Sequence, residues 1–187
     1  MSERRGTWRE PGGEPVAGSE ARAAWTEVAR PALLQVARRY GDYITYKDLS
    51  ERVQHDAGIR TTQRMDYWIG AVLGAVSAEC HSRGEPLLSA FCVHADETVG
   101  AGYAVAVLEA YGTAPDDPDR HAAEERLKAH RFFGADLPPD GGQPRLPPGI
   151  ARRRARAAAA VSPPPRPMCP NCFVELPVNG PCGFCGD

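Results

Sequence analysis

Ile44-Thr45-Tyr46-Lys47-Asp48-Leu49, the turn Gly58-Ile59-Arg60-Thr61-Thr62 and the apolar run from Met65 to Cys80 make up the stretch on which the fold depends. Thr45 with Asp48 three residues on has the form of a capping box. The hydroxyl accepts an amide of the first turn, and an acid lies at the positive helix end. The helix opened in this way buries Leu49 and Val53 and stops at Gly58. A second helix follows, with Met65, Trp68, Ile69, Val72, Leu73, Val76 and Cys80 at three- and four-residue intervals. Gly70 and Gly74 allow close packing or a bend within it. Two helices joined through a glycine-bearing turn make a helix–turn–helix candidate.

Working outward, Pro86 to His94 reads as a strand with both faces largely apolar, and His94–Gly102 as a glycine-rich loop in the position of a wing. Tyr103–Tyr111 fits either strand or helix; its alanines and the closing Gly112 favour helix. Asp117-Pro118 opens a last helix that ends at Phe132-Phe133-Gly134. Upstream, Trp25, Val28, Ala29, Ala32, Leu33, Val36 and Tyr40 predict a bracing helix from Ser19 to Tyr40. Pro31 is expected to kink or break it and Gly41 to cap it. The fold class expected is mainly α with a small β component, a winged helix–turn–helix-like domain over 19–134. Residues 1–18 read as a disordered tail, 135–168 as a Pro/Arg-rich linker, and 169–187 as a four-cysteine zinc ribbon.

Composition narrows the function. The chain has 187 residues and a net charge of −2, so global charge gives no argument for nucleic acid. Lysine occurs only at Lys47 and Lys128 while arginine abounds, so arginine richness alone is weak evidence for phosphate binding. No apolar run of about 18 residues is present, and no apolar segment follows the N-terminal residues. A cytoplasmic protein is expected, without membrane or small-molecule substrate. In that compartment paired cysteines are metal ligands more often than disulfides.

The sharpest signal is Cys169-Pro170-Asn171-Cys172, nine residues, then Cys182-Gly183-Phe184-Cys185. Two Cys-x-x-Cys knuckles can present four thiolates to one tetrahedral ion, with Gly180, Gly183 and Gly186 permitting tight turns. One structural zinc ion is expected as cofactor. Iron, a redox dithiol and disulfides are the competing readings. Four filled positions leave no open one for catalysis. Cys80-His81 and Cys92-Val93-His94 could form a second site, but buried cysteine usually serves as a small hydrophobe. No Gly-x-Ser-x-Gly, phosphate loop or His-Glu-x-x-His is present, and Glu124, Glu125, His121 and His130 have the spacing of a solvated helix face. The expectation is no enzyme. Arg152, Arg153, Arg154 and Arg156, followed by four alanines, suit a transient helix. They serve either as a solubilising stretch or as a grip on phosphates that reads no bases.

Ile44-Thr45-Tyr46-Lys47-Asp48-Leu49, Ile69-Gly70-Ala71-Val72-Leu73-Gly74, Pro86–Val93 and Gly100-Ala101-Gly102-Tyr103 together resemble a small bacterial domain found in the N-terminal part of some HNH-type restriction or phage-defence nucleases. The order is also similar to the winged-helix half of alkyltransferase-like proteins. The alkyl-accepting Pro-Cys-His-Arg is absent, since Glu79-Cys80-His81-Ser82 lies in a helix ahead of the strand. The resemblance spans roughly Ala24–Phe133, and the tail is too short for an HNH module. It implies that the second helix faces the groove, with Arg60, Thr61, Thr62, Gln63 and Arg64 nearest duplex DNA. Acids outnumber bases from Glu20 to Glu109, which favours a protein partner instead. The expected function is a non-enzymatic DNA-binding or regulatory protein. The rivals are a protein-interaction adaptor in a defence or regulatory complex and a nuclease accessory subunit.

Overall fold

The computed structural model describes residues 5–161, 168–177 and 182–185. Parts of the expected tail (1–4), the linker with Pro163-Pro164-Pro165 (162–167) and the ribbon (178–181 and 186–187, with Gly180 and Gly186) lie outside the described residues. The chain divides into two units, 1–150 and 151–187.

The first unit is mainly helical, as expected. Helix α1 (Gly18–Ala37) runs unbroken through Pro31 and buries Ala21, Trp25, Ala29, Leu33 and Val36, so the expected break does not occur. It ends at Ala37, and Gly41 (φ +86°) reverses the chain one turn later. Strand β2 (Ile44–Thr45) leads into helix α2 (Tyr46–Asp56). Thr45 Oγ1 accepts the Asp48 amide at 3.1 Å and donates to the Asp48 carboxylate at 2.7 Å, the cap that the sequence predicts. After Gly58 (φ +63°) comes strand β3 (Ile59–Thr61), then a 3-10 turn at Met65–Tyr67, and only then helix α3 (Ile69–Ser82).

Strand β1 (Thr7–Arg9) pairs antiparallel with β3, setting Thr7 against Thr61, Trp8 against Arg60 and Arg9 against Ile59. The expected tail therefore contains a strand among its described residues. The apolar period that sequence reading requires is missing because a three-residue edge strand buries little and is held by its ladder. The strand expected at Pro86–His94 holds a 3-10 helix at Leu88–Phe91, followed by strand β4 (Cys92–Val93), which pairs parallel with β2. Apolar residues on both faces reflect full burial, which a 3-10 helix satisfies as well as a strand. The loop expected from His94 begins with a tight turn, in which the His94 amide donates to Thr98 O at 2.8 Å. Helix α4 (Ala101–Tyr111), capped by Gly112 at φ +77°, and helix α5 (Pro118–Phe132), capped by Asp117, match the sequence reading.

One core joins these elements. Trp25 and Trp68 pack with ring centroids 4.2 Å apart, and the Trp25 indole donates to Ile59 O at 3.0 Å. That bond ties α1 to the strand that carries β1. The Pro-rich segment after α5 is likewise no free linker as far as Ile150. The Tyr40 hydroxyl bonds both the amide and the carbonyl of Gln143, Arg131 donates to Gly141 O at 3.0 Å, and Pro147 and Ile150 are buried. Helix α6 (Pro148–Val161) follows. Among the described residues no helix is long and apolar enough to cross a membrane.

Candidate metal centre and nucleic-acid interface

In the second unit, Met168 and Glu175 form a bridge that brings the first knuckle back on itself. The Cys169 amide donates to Val174 O at 2.8 Å and the Phe173 amide to Cys169 O at 2.9 Å. Phe173 holds φ +57°, the left-handed conformation that a tight reversal needs and that a side chain disfavours. The knuckles place Cys169 Sγ 3.9 Å from Cys185 Sγ and Cys172 Sγ 3.4 Å from Cys182 Sγ, with all four sulfurs within 4.8 Å of one another. A tetrahedral ion with metal–sulfur bonds of about 2.3 Å requires sulfur–sulfur edges of about 3.8 Å, so the donor set fits.

The thiols are free, and 3.4 Å is far beyond the disulfide bond length of about 2.05 Å. Backbone amides of Cys172 and Asn171 donate to the Cys169 sulfur and lower its thiol to about 6; those of Phe184 and Cys185 lower Cys182 in the same way. Cys185, hydrogen-bonded to Cys172, is pushed up to about 12. Four thiolates this close repel one another unless a cation lies among them. Apolar burial cannot hold this fold, because Phe173 and Phe184 are exposed and Cys169 is the buried residue among those described in the tail. A bound metal is what can stabilise it.

The second-site alternative has no support. Cys80 and Cys92 are buried with thiols raised by desolvation, His81 and His94 are exposed, and the four C-terminal cysteines are the one grouping among the described residues that could hold a metal.

Arg60, Thr61, Thr62, Gln63 and Arg64 do not stand at the front of a helix, which corrects the placement the resemblance implied. Arg60 lies in β3 and pairs with Glu10 at 3.0 Å. Thr61 bonds Thr7 through its hydroxyl (2.9 Å) and Gln54 through its amide (2.9 Å), and the Thr62 hydroxyl accepts the Gly6 amide at 3.0 Å. The Gln63 amide donates to Thr61, and Arg64 makes a two-pronged pair with Asp66 (2.6 and 3.2 Å). The Arg60, Thr61 and Thr62 side chains are used in closing the β1–β3 ladder and its exit. The β1 partner was hidden in a segment with no apolar period.

Arg152, Arg153, Arg154 and Arg156 lie on α6 and are exposed. The run of alanines favours helix there. At about 100° per residue, Arg152, Arg153 and Arg156 share a sector of about 100°. Residues 151–187 carry five arginines against Glu175 and Asp187, a formal +3, leaving −5 for residues 1–150.

The solvated face expected on α5 is half buried. Glu125 accepts from the Leu87 amide (3.0 Å), the Tyr111 hydroxyl (2.7 Å) and Lys128 Nζ (3.0 Å). Arg126 donates to Ala90 O at 2.8 Å, and His130 Nδ1 donates to Ala37 O at 2.6 Å while its Nε2 accepts the Gly41 amide at 3.2 Å. These groups satisfy loose ends of the 3-10 helix and of α1. Ala122 and Ala129, seven apart and both buried, mark the same face, and that spacing was the available signal. His121 instead meets the Tyr103 hydroxyl at 2.9 Å.

Comparison with protein-family models, with curated proteins and with solved structures returns no match to this chain.

Proposed function

We propose that the protein is a non-enzymatic, DNA-binding regulatory factor that grips phosphates through α6, next in the chain to a zinc-held knuckle pair. The observation that carries this reading is the arginine-rich helix that precedes the four-cysteine module in the chain, whose remaining residues are net acidic. Zinc suits an all-thiolate tetrahedral set. α2 and α3 are read as a distant winged-helix variant in which β3 and a 3-10 turn replace the tight turn, serving as scaffold more than as reader. Phosphate contacts give affinity without sequence discrimination, so binding should fall steeply with salt.

The test is a mobility shift on duplex DNA across a salt series. Neutralising Arg152, Arg153, Arg154 and Arg156 together should abolish the shift, whereas Arg60→Ala/Arg64→Ala should leave it nearly unchanged. If wild-type protein binds no duplex even at low salt, the reading fails. A second reading, a protein-interaction adaptor, draws on the net-acidic first unit and on Val105, Leu108 and Tyr111, which are exposed along α4. It predicts a partner whose binding survives the four arginine substitutions and is lost on Leu108→Asp.

A further inference from the structure

Arg126 is 5% exposed, and its guanidinium donates to two carbonyls, Ala90 O at 2.8 Å and Arg145 O at 3.3 Å. No described carboxylate lies within ion-pair distance of it. Asp119 attracts it through space but spends its own oxygen on the Val99 amide at 2.9 Å. Burial lowers the guanidinium to about 10, the mark of a charge whose lost hydration is not replaced. Enclosing a cation costs several kcal/mol unless an anion accompanies it.

The same guanidinium lines a cavity of about 130 Å³ between α5 and the segment following it, together with Tyr40, Tyr43, Asp42, His130 and Arg145. A single water needs about 10–15 Å³ on that measure, so there is room for a small polyatomic ion and its remaining waters. Arg145 holds its guanidinium 5.1 Å from the Tyr40 ring centroid and has no carboxylate partner among the described residues. The one acid at the rim, Asp42, is engaged by Arg39 at 2.6 Å. His130 contributes no charge, because burial lowers its pKa and both ring nitrogens are already bonded to backbone.

We infer that this cavity is a binding site for a small oxyanion of the phosphate or carboxylate type, held between Arg126 and Arg145. Arg126 supplies the fixed, buried charge. Arg145 closes from the rim and gives the second prong, with its guanidinium free to leave the Tyr40 face. The lining contains none of the α6 arginines and none of the four clustered cysteines, so its test is separate from that of DNA binding.

The test uses the full chain labelled with ¹⁵N-arginine, titrated with inorganic phosphate and, separately, with acetate at constant ionic strength while the arginine Nε–H resonances are followed. Saturable shifts of the Arg126 and Arg145 resonances are expected with at least one anion. Preference for phosphate would mark a phosphoryl ligand; equal or better response to acetate would mark a carboxylate. Arg145→Ala, an exposed position, should weaken binding about tenfold, the loss of one charge-assisted contact. The variant lacking the four α6 arginines should bind as wild type. No saturable shift with either anion, full affinity in Arg145→Ala, or loss of the shifts in the α6 variant would each overturn the assignment.

Discussion

Replacing Glu125 by alanine should destabilise the first unit by about 2–5 kcal/mol, and each part of that figure has a structural source. The carboxylate is fully buried and accepts three donors. Its loss orphans the Leu87 amide, which lies in the core, at about 1–3 kcal/mol. The Tyr111 hydroxyl belongs to a half-exposed ring and can turn to water, so its loss costs little beyond one net hydrogen bond, about 1 kcal/mol. The Lys128 pair contributes at most about 1 kcal/mol, because the lysine is 61% exposed. Glu125→Gln keeps an acceptor for Leu87 and Tyr111 and should lose about half as much. The assay is urea unfolding followed by the fluorescence of Trp25 and Trp68, which are both in this core. The pH limb adds a second check. Burial alone would raise the Glu125 pKa, but Tyr111, Leu87 and Lys128 outweigh it, so the folded value is below the ordinary one. Stability from this group is therefore complete above the unfolded value of about 4.3 and is lost as pH falls through the lower folded value. Glu125→Gln should flatten that acid limb. An alanine variant within about 0.5 kcal/mol of wild type would refute the claim that this carboxylate ties α5 to the start of the 3-10 helix.

Protein purified without chelator should carry about one zinc ion per chain by elemental analysis, and Cys182→Ser should reduce it to near zero while leaving the urea midpoint of the first unit unchanged. Deleting residues 1–10 removes β1 and exposes the edge of β3. It should lower the midpoint measurably, whereas a truly disordered tail would leave it unmoved. His130 is held neutral by burial, so its folded pKa lies below its unfolded value. Stability should then decline as pH drops below about 6.5 toward that folded value, and a His130→Gln variant should lack this slope in melting temperature against pH. Trp25→Ala removes a buried indole, its bond to Ile59 O and its packing on Trp68, a loss of about 3–5 kcal/mol by chemical unfolding.

The elements legible in the sequence are those whose cause is local. Thr45 with Asp48, Asp117 with Pro118, and Gly112 after α4 are written in neighbouring residues, and all three stand where expected. The four cysteines are legible for the same reason: two short spacings impose knuckle geometry whatever the rest of the chain does. The misreadings fall where the partner is far away. β1 is specified by β3 some fifty residues on, and no period within Gly6–Glu10 announces it. Fully buried residues lose the alternation that separates a strand from other buried segments, so of the strand expected over Pro86–His94 Cys92–Val93 is one while Leu88–Phe91 is a 3-10 helix.

The proposal that α6, rather than β3, carries the phosphate contacts rests on the same distinction. Arg60, Thr61 and Thr62 have chemistry suited to DNA, but a residue type suited to a ligand is equally suited to its own chain. Glu10, Thr7 and Gly6 reach them first. Arg64 meets Asp66 two residues along, a competitor visible in the sequence once side-chain geometry is considered. Arg126 shows the converse. It sits in a helix segment rich in acids, where an ion pair would be the ordinary expectation. Folding turns it inward, away from Glu124 and Glu125, onto two carbonyls and a cavity. A guanidinium lacking a fixed anion is a stronger pointer to a ligand than one on a polar surface, because the fold has already met the cost of burying it.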